Sequence, residues 1–419
     1  MERLIRSWGL AVLLWMIFIP AASAEDVRLA DLMDEALRNN PEIRTAEAQA
    51  ASAAQRISRE ASLPDPVLSA GYQNEGFKRY TYGESQFSWW MFSLSQTFPF
   101  PGKRSLQREA ASYEAESAKA AAERIRREVV GRVRQAYYDL FLADRELDLI
   151  RERKPLASKL EEAALARYAA GTGTQEDVIM AQSAKYMLLE NESMAISRRE
   201  SAEAAIRRET GRTGLTPLGR PVETPPTPFG YTLEELVGKA SANSPELAER
   251  QRMVLVSEKR LSRAEREAWP DITLMPQYFS LGDGMEDMWA LTASIPLPVF
   301  YRQKQGAAIA ESSWSLVSSR KELESARLKV ESEIRDNLAT ISASDKVIDL
   351  YRNALIPKAR QNIDAAIALF SAGRMNAYEA LSALKAPFDY ELTLWQQRMQ
   401  REKAIARIKV LTGDMEDGT

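Results

Sequence analysis

The chain has 419 residues and a formal net charge of −3, and it contains neither cysteine nor histidine. This length predicts two or three domains, and the small charge gives no electrostatic reason to expect nucleic acid as a partner. The two missing residue types exclude disulfides, thiolate or imidazole metal sites and every nucleophile that depends on histidine. We therefore expect a protein without enzymatic activity, cofactor or bound metal.

Residues 1–24 have the pattern of a secretory signal peptide. Arg3 and Arg6 precede an apolar run over 8–20, and the small residues at 22–24 provide a cleavage site. The alternative is an uncleaved membrane anchor, but the run is shorter than the roughly 20 residues with which a helix crosses a bilayer. No cysteine follows for lipid attachment, and we expect an exported protein of a bacterial envelope.

Sequence patterns of the first half return in the second half. Asn-Pro-Glu at 40–42 is matched 204 residues later by Ser-Pro-Glu at 244–246, and each has the order of N-cap residue, proline and acid that predicts the start of a helix. Thr-Gly at 210–211 is matched 202 residues later at 412–413. An apolar residue followed by Pro-Asp, which ends at Asp65, is also matched at Asp271. Recurrence in the same order indicates an internal duplication.

The duplication defines the domain organisation that we expect. Residues 25–211 form a first structural repeat, with a helix, a pair of strands and a long helical hairpin. Residues 212–231 are rich in proline and form an extended connector. Residues 232–419 form the second structural repeat, with the same elements.

Each repeat contains a long helix with an apolar stripe. In the first repeat the helical pattern runs from about 102 to 170, which corresponds to roughly 100 Å. Its stripe has the steps of three and four that are typical of a coiled-coil seam. The stripe residues are Val129, Val133, Ala136, Leu140, Ala143, Leu147 and Ile150 in the first repeat, and Val330, Ile334, Leu338, Ile341 and Ile348 in the second.

Glycines break both long helices and turn each into a hairpin. Gly171 and Gly373 interrupt the helical pattern, and a second helix returns from each towards the Thr-Gly end of its repeat. Packing within one hairpin is sufficient to explain the apolar stripe. However, the length of the hairpins and the small residues on their other faces favour additional packing against neighbours.

Four short segments alternate between apolar and small polar residues, as strands with two different faces do. Pro276 weakens the prediction for the third of them. One interpretation is a pair of soluble hairpins that cover a helical domain. The other is a set of membrane strands whose apolar faces contact lipid. The residues that would face lipid are Leu68, Tyr72, Trp90, Phe92, Leu94, Ile272, Leu274, Trp289 and Leu291.

The membrane interpretation has a consequence for assembly. Every backbone N–H and C=O group in hydrocarbon must be paired, so the sheet must close on itself. Four strands are too few, because the smallest membrane barrels have about eight. A barrel of about eight strands is filled by its own side chains, whereas a conduit needs more. Three or more copies of the chain are therefore favoured.

At this point the chain resembles the TolC-like outer-membrane efflux channels. The resemblance is carried by the duplicated helix starts, the duplicated strand pairs and the turn sequences at 168–172 (Tyr-Ala-Ala-Gly-Thr) and 370–374 (Phe-Ser-Ala-Gly-Arg). It covers essentially all residues after the signal peptide. The segment at 98–104 is most similar to the heavy-metal-efflux branch of the family, although the lipid-anchored members of that branch have a cysteine that is missing here.

The resemblance implies a fold and a set of partners. The fold is mainly α-helical with a small β part: a homotrimer in which duplicated helical hairpins form a tunnel in the periplasm, and four strands per chain complete a 12-stranded transmembrane β-barrel in outer-membrane lipid. The implied partners are a periplasmic adaptor, also called a membrane fusion protein, and an inner-membrane pump.

The resemblance also implies roles for the two turns. The adaptor would dock at the periplasmic tip, which consists here of Arg167, Tyr168, Gly171, Thr172, Phe370, Gly373 and Arg374. Asp177 and Glu379 match the positions of carboxylates that help to close the tunnel. Met375 occupies a gate position where the family can have a basic residue. From the residues alone, the two acids are ordinary exposed residues near helix N-termini, where the helix dipole favours them.

The function that we expect is a passive exit duct in the outer membrane for a tripartite efflux or secretion system. Its energy would come from a partner, because no phosphate-binding Gly-x-x-x-x-Gly-Lys-Ser/Thr segment is present. The alternative is a soluble periplasmic coiled-coil adaptor or scaffold.

Overall fold

The computed structural model describes residues 26–214, 217–282 and 284–414. The predicted signal peptide at 1–24 lies outside these residues. The described helices are α1 (Leu29–Asn39), α2 (Pro41–Ala61), α3 (Lys103–Ala169), α4 (Gln175–Thr210), α5 (Leu233–Asn243), α6 (Pro245–Arg266), α7 (Gln305–Leu350), α8 (Ile356–Ser371) and α9 (Ala377–Thr412). The described strands are β1 (Val67–Gln73), β2 (Trp89–Phe98), β3 (Ile272–Ser280) and β4 (Met288–Ser294).

The predicted start of α2 is confirmed, and it separates two helices. The Asn40 side chain accepts hydrogen bonds from the backbone N–H groups of Glu42 (2.8 Å) and Ile43 (3.2 Å), and Pro41 occupies the first helical position, where its missing N–H costs nothing. Asn40 also ends α1, because its own N–H bonds to the carbonyl of Ala36. The sequence analysis did not identify α1 as a separate helix.

The long helix of the first repeat is continuous over 67 residues, even though it contains Pro155. Its counterpart is interrupted by a π-helical turn, Tyr351–Leu355, directly before α8. A π-turn accommodates one extra residue in a helix. Val129 and Val330, which precede the position of the π-turn in their repeats, are 201 residues apart, whereas Gly171 and Gly373, which follow it, are 202 residues apart. The difference is the one extra residue.

The predicted stripes form the core between the helices. Val129, Val133, Leu140 and Ile150 are fully buried in the first repeat, and Ala136, Ala143 and Leu147 are buried beside them. In the second repeat Val330, Ile334 and Ile341 are buried, while Leu338 and Ile348 are only half-buried. The looser second stripe therefore leaves apolar surface that the described residues of one chain do not cover.

The strands form one antiparallel sheet in the order β1-β2-β3-β4. Its register places all nine predicted lipid-facing residues on the same face, because Leu68 lies opposite Leu94, Tyr72 opposite Trp90, and Leu274 opposite Gln96. On the other face Thr97 and Thr273 share a hydrogen bond of 2.9 Å between their hydroxyl groups. The sheet therefore has one largely apolar face and one mixed face, on which hydroxyl groups stand beside Met91, Met275 and the packed rings of Trp89 and Phe279.

The third strand is present despite Pro276. This proline lies opposite Leu291 of β4, and the recorded pairing of β3 with β2 continues on both sides of it, from Ser93 with Gln277 to Gln96 with Leu274. Pro276 itself does not pair with β2, since proline has no N–H to donate. One local gap in the ladder is tolerated within a sheet that is otherwise paired.

Among the described helices, none combines enough length with enough apolar character to cross a membrane.

We expect Gly211 and Gly413, at the ends of the two repeats, to be more important for stability than Gly171 in the first helical turn. Gly211 and Gly413 have positive φ, and an added Cβ atom would lie 2.8 Å and 2.3 Å from the backbone oxygens of Asn39 and Asn243, respectively. Gly171 also has positive φ, but nothing lies within 4 Å of its added Cβ. At each of these three sites, replacing glycine by alanine in the left-handed region lowers the free energy of unfolding by about 1–2 kcal/mol. At Gly211 and Gly413 the steric clash adds to this loss.

Gly413→Ala and Gly211→Ala should therefore lower the melting temperature of the detergent-solubilised protein clearly more than the control Gly171→Ala. Scanning calorimetry measures the three values. Equal losses in all three variants would contradict the close approach of the helix ends.

Candidate functional site at the helical turns

The first turn joins α3 to α4 through a left-handed glycine. Gly171 has φ 71°, and the N–H groups of Thr172 and Gly173 bond to the carbonyl of Arg167 at 2.9 Å and 3.0 Å. A side chain on Gly173 would place its Cβ 2.9 Å from the Cβ of Arg167. Gly173 is thus required by close approach, a role that the sequence pattern did not indicate.

The second turn joins α8 to α9 with the same geometry. Gly373 has φ 71°, and the N–H of Arg374 bonds to the carbonyl of Leu369 at 2.9 Å. The Arg374 side chain is exposed and makes no hydrogen bond or ion pair within the described part of the chain. It is therefore free for contact with another molecule.

Asp177 and Glu379 have equivalent local contacts. Asp177 accepts a hydrogen bond from the N–H of Thr174 (3.2 Å), and the Thr174 hydroxyl accepts one from the N–H of Asp177 (3.1 Å). Glu379 and Asn376 form the same reciprocal pair, with distances of 3.4 Å and 2.8 Å. These capping boxes satisfy backbone N–H groups at the starts of α4 and α9.

Of these two acids, Asp177 also connects the two hairpins, whereas Glu379 does not. Its second oxygen accepts a hydrogen bond from the N–H of Ala377, the first residue of α9, at 3.3 Å. Partial burial raises the pKa of Asp177, but hydrogen bonds from Thr174 and Ala377 and the nearby charge of Arg167 outweigh it, and the pKa lies below its usual value. The stabilisation is therefore complete at neutral pH and is lost only as pH falls through this lowered pKa.

Arg167 forms a second connection between the hairpins. Its guanidinium donates to the carbonyls of Phe370 (3.2 Å), Met375 (3.5 Å) and Thr172 (3.3 Å). It also lies 4.7 Å from the centre of the Phe370 ring, in a cation–π arrangement. A positive charge from α3 thus lies against the backbone of Met375, whose own side chain is uncharged.

An apolar cluster supports these contacts from below. Phe370 is fully buried, and it packs with residues from all four tip helices, including Leu160 of α3, Val178 of α4 and Leu384 of α9; Met375 lies half-buried at the edge of this cluster. Tyr168 is exposed beside the first turn. The tip is a packed unit with polar connections on its surface.

The comparisons with known proteins identify the family. Residues 32–212 and 236–414 match the Outer membrane efflux protein family. The chain belongs to this family. The Outer membrane protein TolC of Vibrio cholerae serotype O1 is 21% identical over 411 residues, which cover 93% of this chain and 91% of that protein.

Solved structures have the same fold at low sequence identity. CusC has a TM-score of 0.78 and 17% identity, with 93% of each chain covered. The open state of the Neisseria gonorrhoeae MtrE outer membrane channel has a TM-score of 0.76 and 19% identity, with 93% of this chain and 90% of that chain covered. As an outer membrane efflux protein, the chain is an exit duct in the outer membrane that extends into the periplasm.

The structure brings together most of the tip residues of this efflux protein, but only some of them contact the opposite hairpin. Arg167, Phe370 and Asp177 contact the opposite hairpin, whereas Glu379 is bonded to its own turn. Tyr378, which sequence reasoning did not single out, is exposed next to Glu379. The duplicated pattern did not point to it, because the counterpart of Tyr378 in the first repeat is Glu176 and the counterpart of Tyr168 is the buried Phe370.

Removal of the Arg167 guanidinium should loosen the second turn. Hydrogen bonds of a charged donor contribute about 1.5–3 kcal/mol each, and the cation–π contact about 0.5–1 kcal/mol. In Arg167→Met, amide hydrogen exchange across 369–380 should accelerate on the order of tenfold or more. The control is Arg374→Met, which removes a tip arginine without such contacts. Equal exchange in the two variants would show that Arg167 does not hold the turn.

Proposed function

We propose that three copies of this efflux protein assemble into one passive conduit, whose 12-stranded barrel crosses the outer membrane and whose helices form a periplasmic tunnel. A periplasmic adaptor docks at the tip, and an inner-membrane pump supplies the energy. The observation that carries the proposal is the sheet, which has one uncovered apolar face and two free edges.

The exposure of the apolar face supports contact with lipid. Leu68 is 75% exposed, Trp289 80% and Leu291 64%, values that are unusual in water for large apolar side chains that share one face of a sheet. The most exposed of them belong to β1 and β4, the two edge strands. Joining β4 of one copy to β1 of the next pairs both edges, and three copies give twelve strands.

Docking of an adaptor at the tip is supported by exposed groups that have no hydrogen-bond or ion-pair partner among the described residues. Tyr168, Tyr378 and Arg374 surround the turns and are accessible. Aromatic and arginine side chains are enriched where proteins bind each other. Arg167 faces its own chain and would support the docking surface through the position of the turns.

Gating by Asp177 and Glu379 is the finer part of the proposal. Both carboxylates hold the start of a returning helix, and Asp177 also holds the neighbouring hairpin. Carboxylates brought together around a threefold axis would repel one another unless hydrogen bonds and cations compensate. The N–H groups and Arg167 provide this compensation within each copy.

The assembly is tested by fractionation. The protein should sediment with the outer membrane, require detergent for extraction and have the mass of three chains by native mass spectrometry in detergent. A monomer that stays in solution without detergent would support the alternative of a soluble periplasmic scaffold instead.

The gate is tested by conductance. In planar bilayers, the double variant Asp177→Ala with Glu379→Ala should have a higher single-channel conductance than the unmodified channel, because both caps and the bond to Ala377 are lost. The control is Glu176→Ala, which removes an acid from the same turn of α4 whose side chain makes no hydrogen bond within the described part of the chain. Unchanged conductance in the double variant would remove the two carboxylates as gate elements.

A further inference from the structure

A buried lysine joins the two repeats where the strands meet the helices. Lys103, at the start of α3, is only 5% exposed, and its Nζ lies 2.8 Å from Asp271 and 3.0 Å from Glu267. Asp271 also accepts a hydrogen bond from the N–H of Phe100 at 2.8 Å. The ring of Phe100 stacks on Trp269, with 5.3 Å between the ring centres. We call this set of contacts the junction.

The junction connects neighbouring strands of different repeats. Phe100 and Lys103 follow β2, and Trp269 and Asp271 precede β3, which is paired with β2. The duplicated sequence contains both halves of a second junction, after β4 and before β1. These two strands are the opposite edges of the sheet, so that a single chain cannot bring the two halves together.

The register of the helices identifies the matching residues. The buried stripe residues Val129 and Val330 are spaced by 201 residues, and the same spacing takes Lys103 to Lys304, directly before α7. The shared Pro-Asp pattern matches Asp271 with Asp65, directly before β1.

The apolar half of the junction is duplicated as well. Pro-x-Pro sequences match Phe100 with Leu297 at a spacing of 197 residues, so the second repeat has four more residues between this position and its lysine than the first repeat has. The residues before Pro-Asp match Trp269 with Leu63. Leu297 is 77% exposed, and Leu63 is also exposed. Both lack the neighbour that their counterparts have.

The polar members of the second junction lack partners too. Lys304 and Asp65 are exposed, and neither side chain makes a hydrogen bond or an ion pair with any described residue. Their counterparts, Lys103 and Asp271, are held by each other. The lysine and one of its two carboxylates are thus duplicated, and the duplicated pair is apart in the described chain; Glu267 is not duplicated, because the spacing between Asp65 and Asp271 matches it with Ala61.

We propose that Lys304 of one copy binds Asp65 of the next copy, with Leu297 packed on Leu63, and that this repeats the junction at every boundary between copies. The proposal rests on the assembly under Proposed function and specifies its interface.

The adjoining helices favour a second copy as the occupant. Within the chain, α3 and α6 are linked by ion pairs such as Glu116 with Arg252, at 3.1 Å. At the matching positions of α7 and α2 stand Val317 and Ala48, which are exposed, near the exposed Trp314. Apolar residues in place of a surface ion pair fit a face that another copy covers.

Cross-linking tests the contact directly, because the chain has no cysteine of its own. Asp65→Cys with Lys304→Cys, treated in outer membranes with a short bismaleimide, should give dimers and trimers on denaturing gels. Asp65→Cys alone should give at least tenfold less of these products. In the matched control, Lys103→Cys with Asp271→Cys, the reagent should link residues within one chain and leave its mass that of a monomer.

Charge exchange tests the ion pair. Asp65→Lys and Lys304→Asp should each lower the temperature at which the trimer dissociates in detergent, since each places like charges together. The double variant should restore it. Both side chains lack partners among the described residues of one chain, so the folding of a chain should be unaffected, which circular dichroism checks.

The outcomes separate this proposal from the trimer itself. If native mass spectrometry shows three chains but the cysteine pair gives no cross-linked oligomer and the double variant restores nothing, the pairing of Lys304 with Asp65 is wrong and the trimer stands. If the unmodified protein is not a trimer, the proposed assembly is wrong and this contact falls with it.

Discussion

The structure depends on the unpaired hydrogen-bonding groups at the two edges of its small sheet. β1 and β4 each present one row of backbone N–H and C=O groups without a partner strand in the described chain. In hydrocarbon each unpaired group costs several kcal/mol. The same sheet has an apolar face that no described helix covers. A membrane position therefore requires that copies join edge to edge, and assembly becomes a condition of insertion.

Duplication allows such an assembly to use contacts that the chain already makes within itself. The junction at Lys103 unites two repeats in one chain, and a lysine that is nearly buried is tolerated only because two carboxylates accept it. At the proposed boundary between copies, the matching residues are exposed in the single chain. They are the charged residues Lys304 and Asp65 and two leucines, which stand where the junction within the chain has stacked aromatic rings.

Local patterns allowed much of the fold to be predicted, while contacts between distant segments were not accessible from sequence. The cap at Asn40, the strand alternation and the stripe at Val129 each involve residues within a few positions of one another. The π-turn at Tyr351–Leu355 is a one-residue insertion, which is visible only when the spacing of the stripes, 201 residues, is compared with that of the turn glycines, 202 residues. The bonds from Arg167 to Phe370 and from Ala377 to Asp177 join residues that are 203 and 200 positions apart.

The tip shows how two turns of nearly equal sequence acquire unequal tasks. Both charged connectors, Arg167 and Asp177, belong to the first hairpin, whereas the second hairpin contributes carbonyls, one N–H and an aromatic ring. Arginine keeps its charge at physiological pH, the pKa of Asp177 is lowered, and the chain has no histidine. The connection between the hairpins is therefore insensitive to pH near neutrality. In the proposed gate, opening would therefore come from a mechanical displacement of one hairpin or from a partner that competes for the same backbone groups.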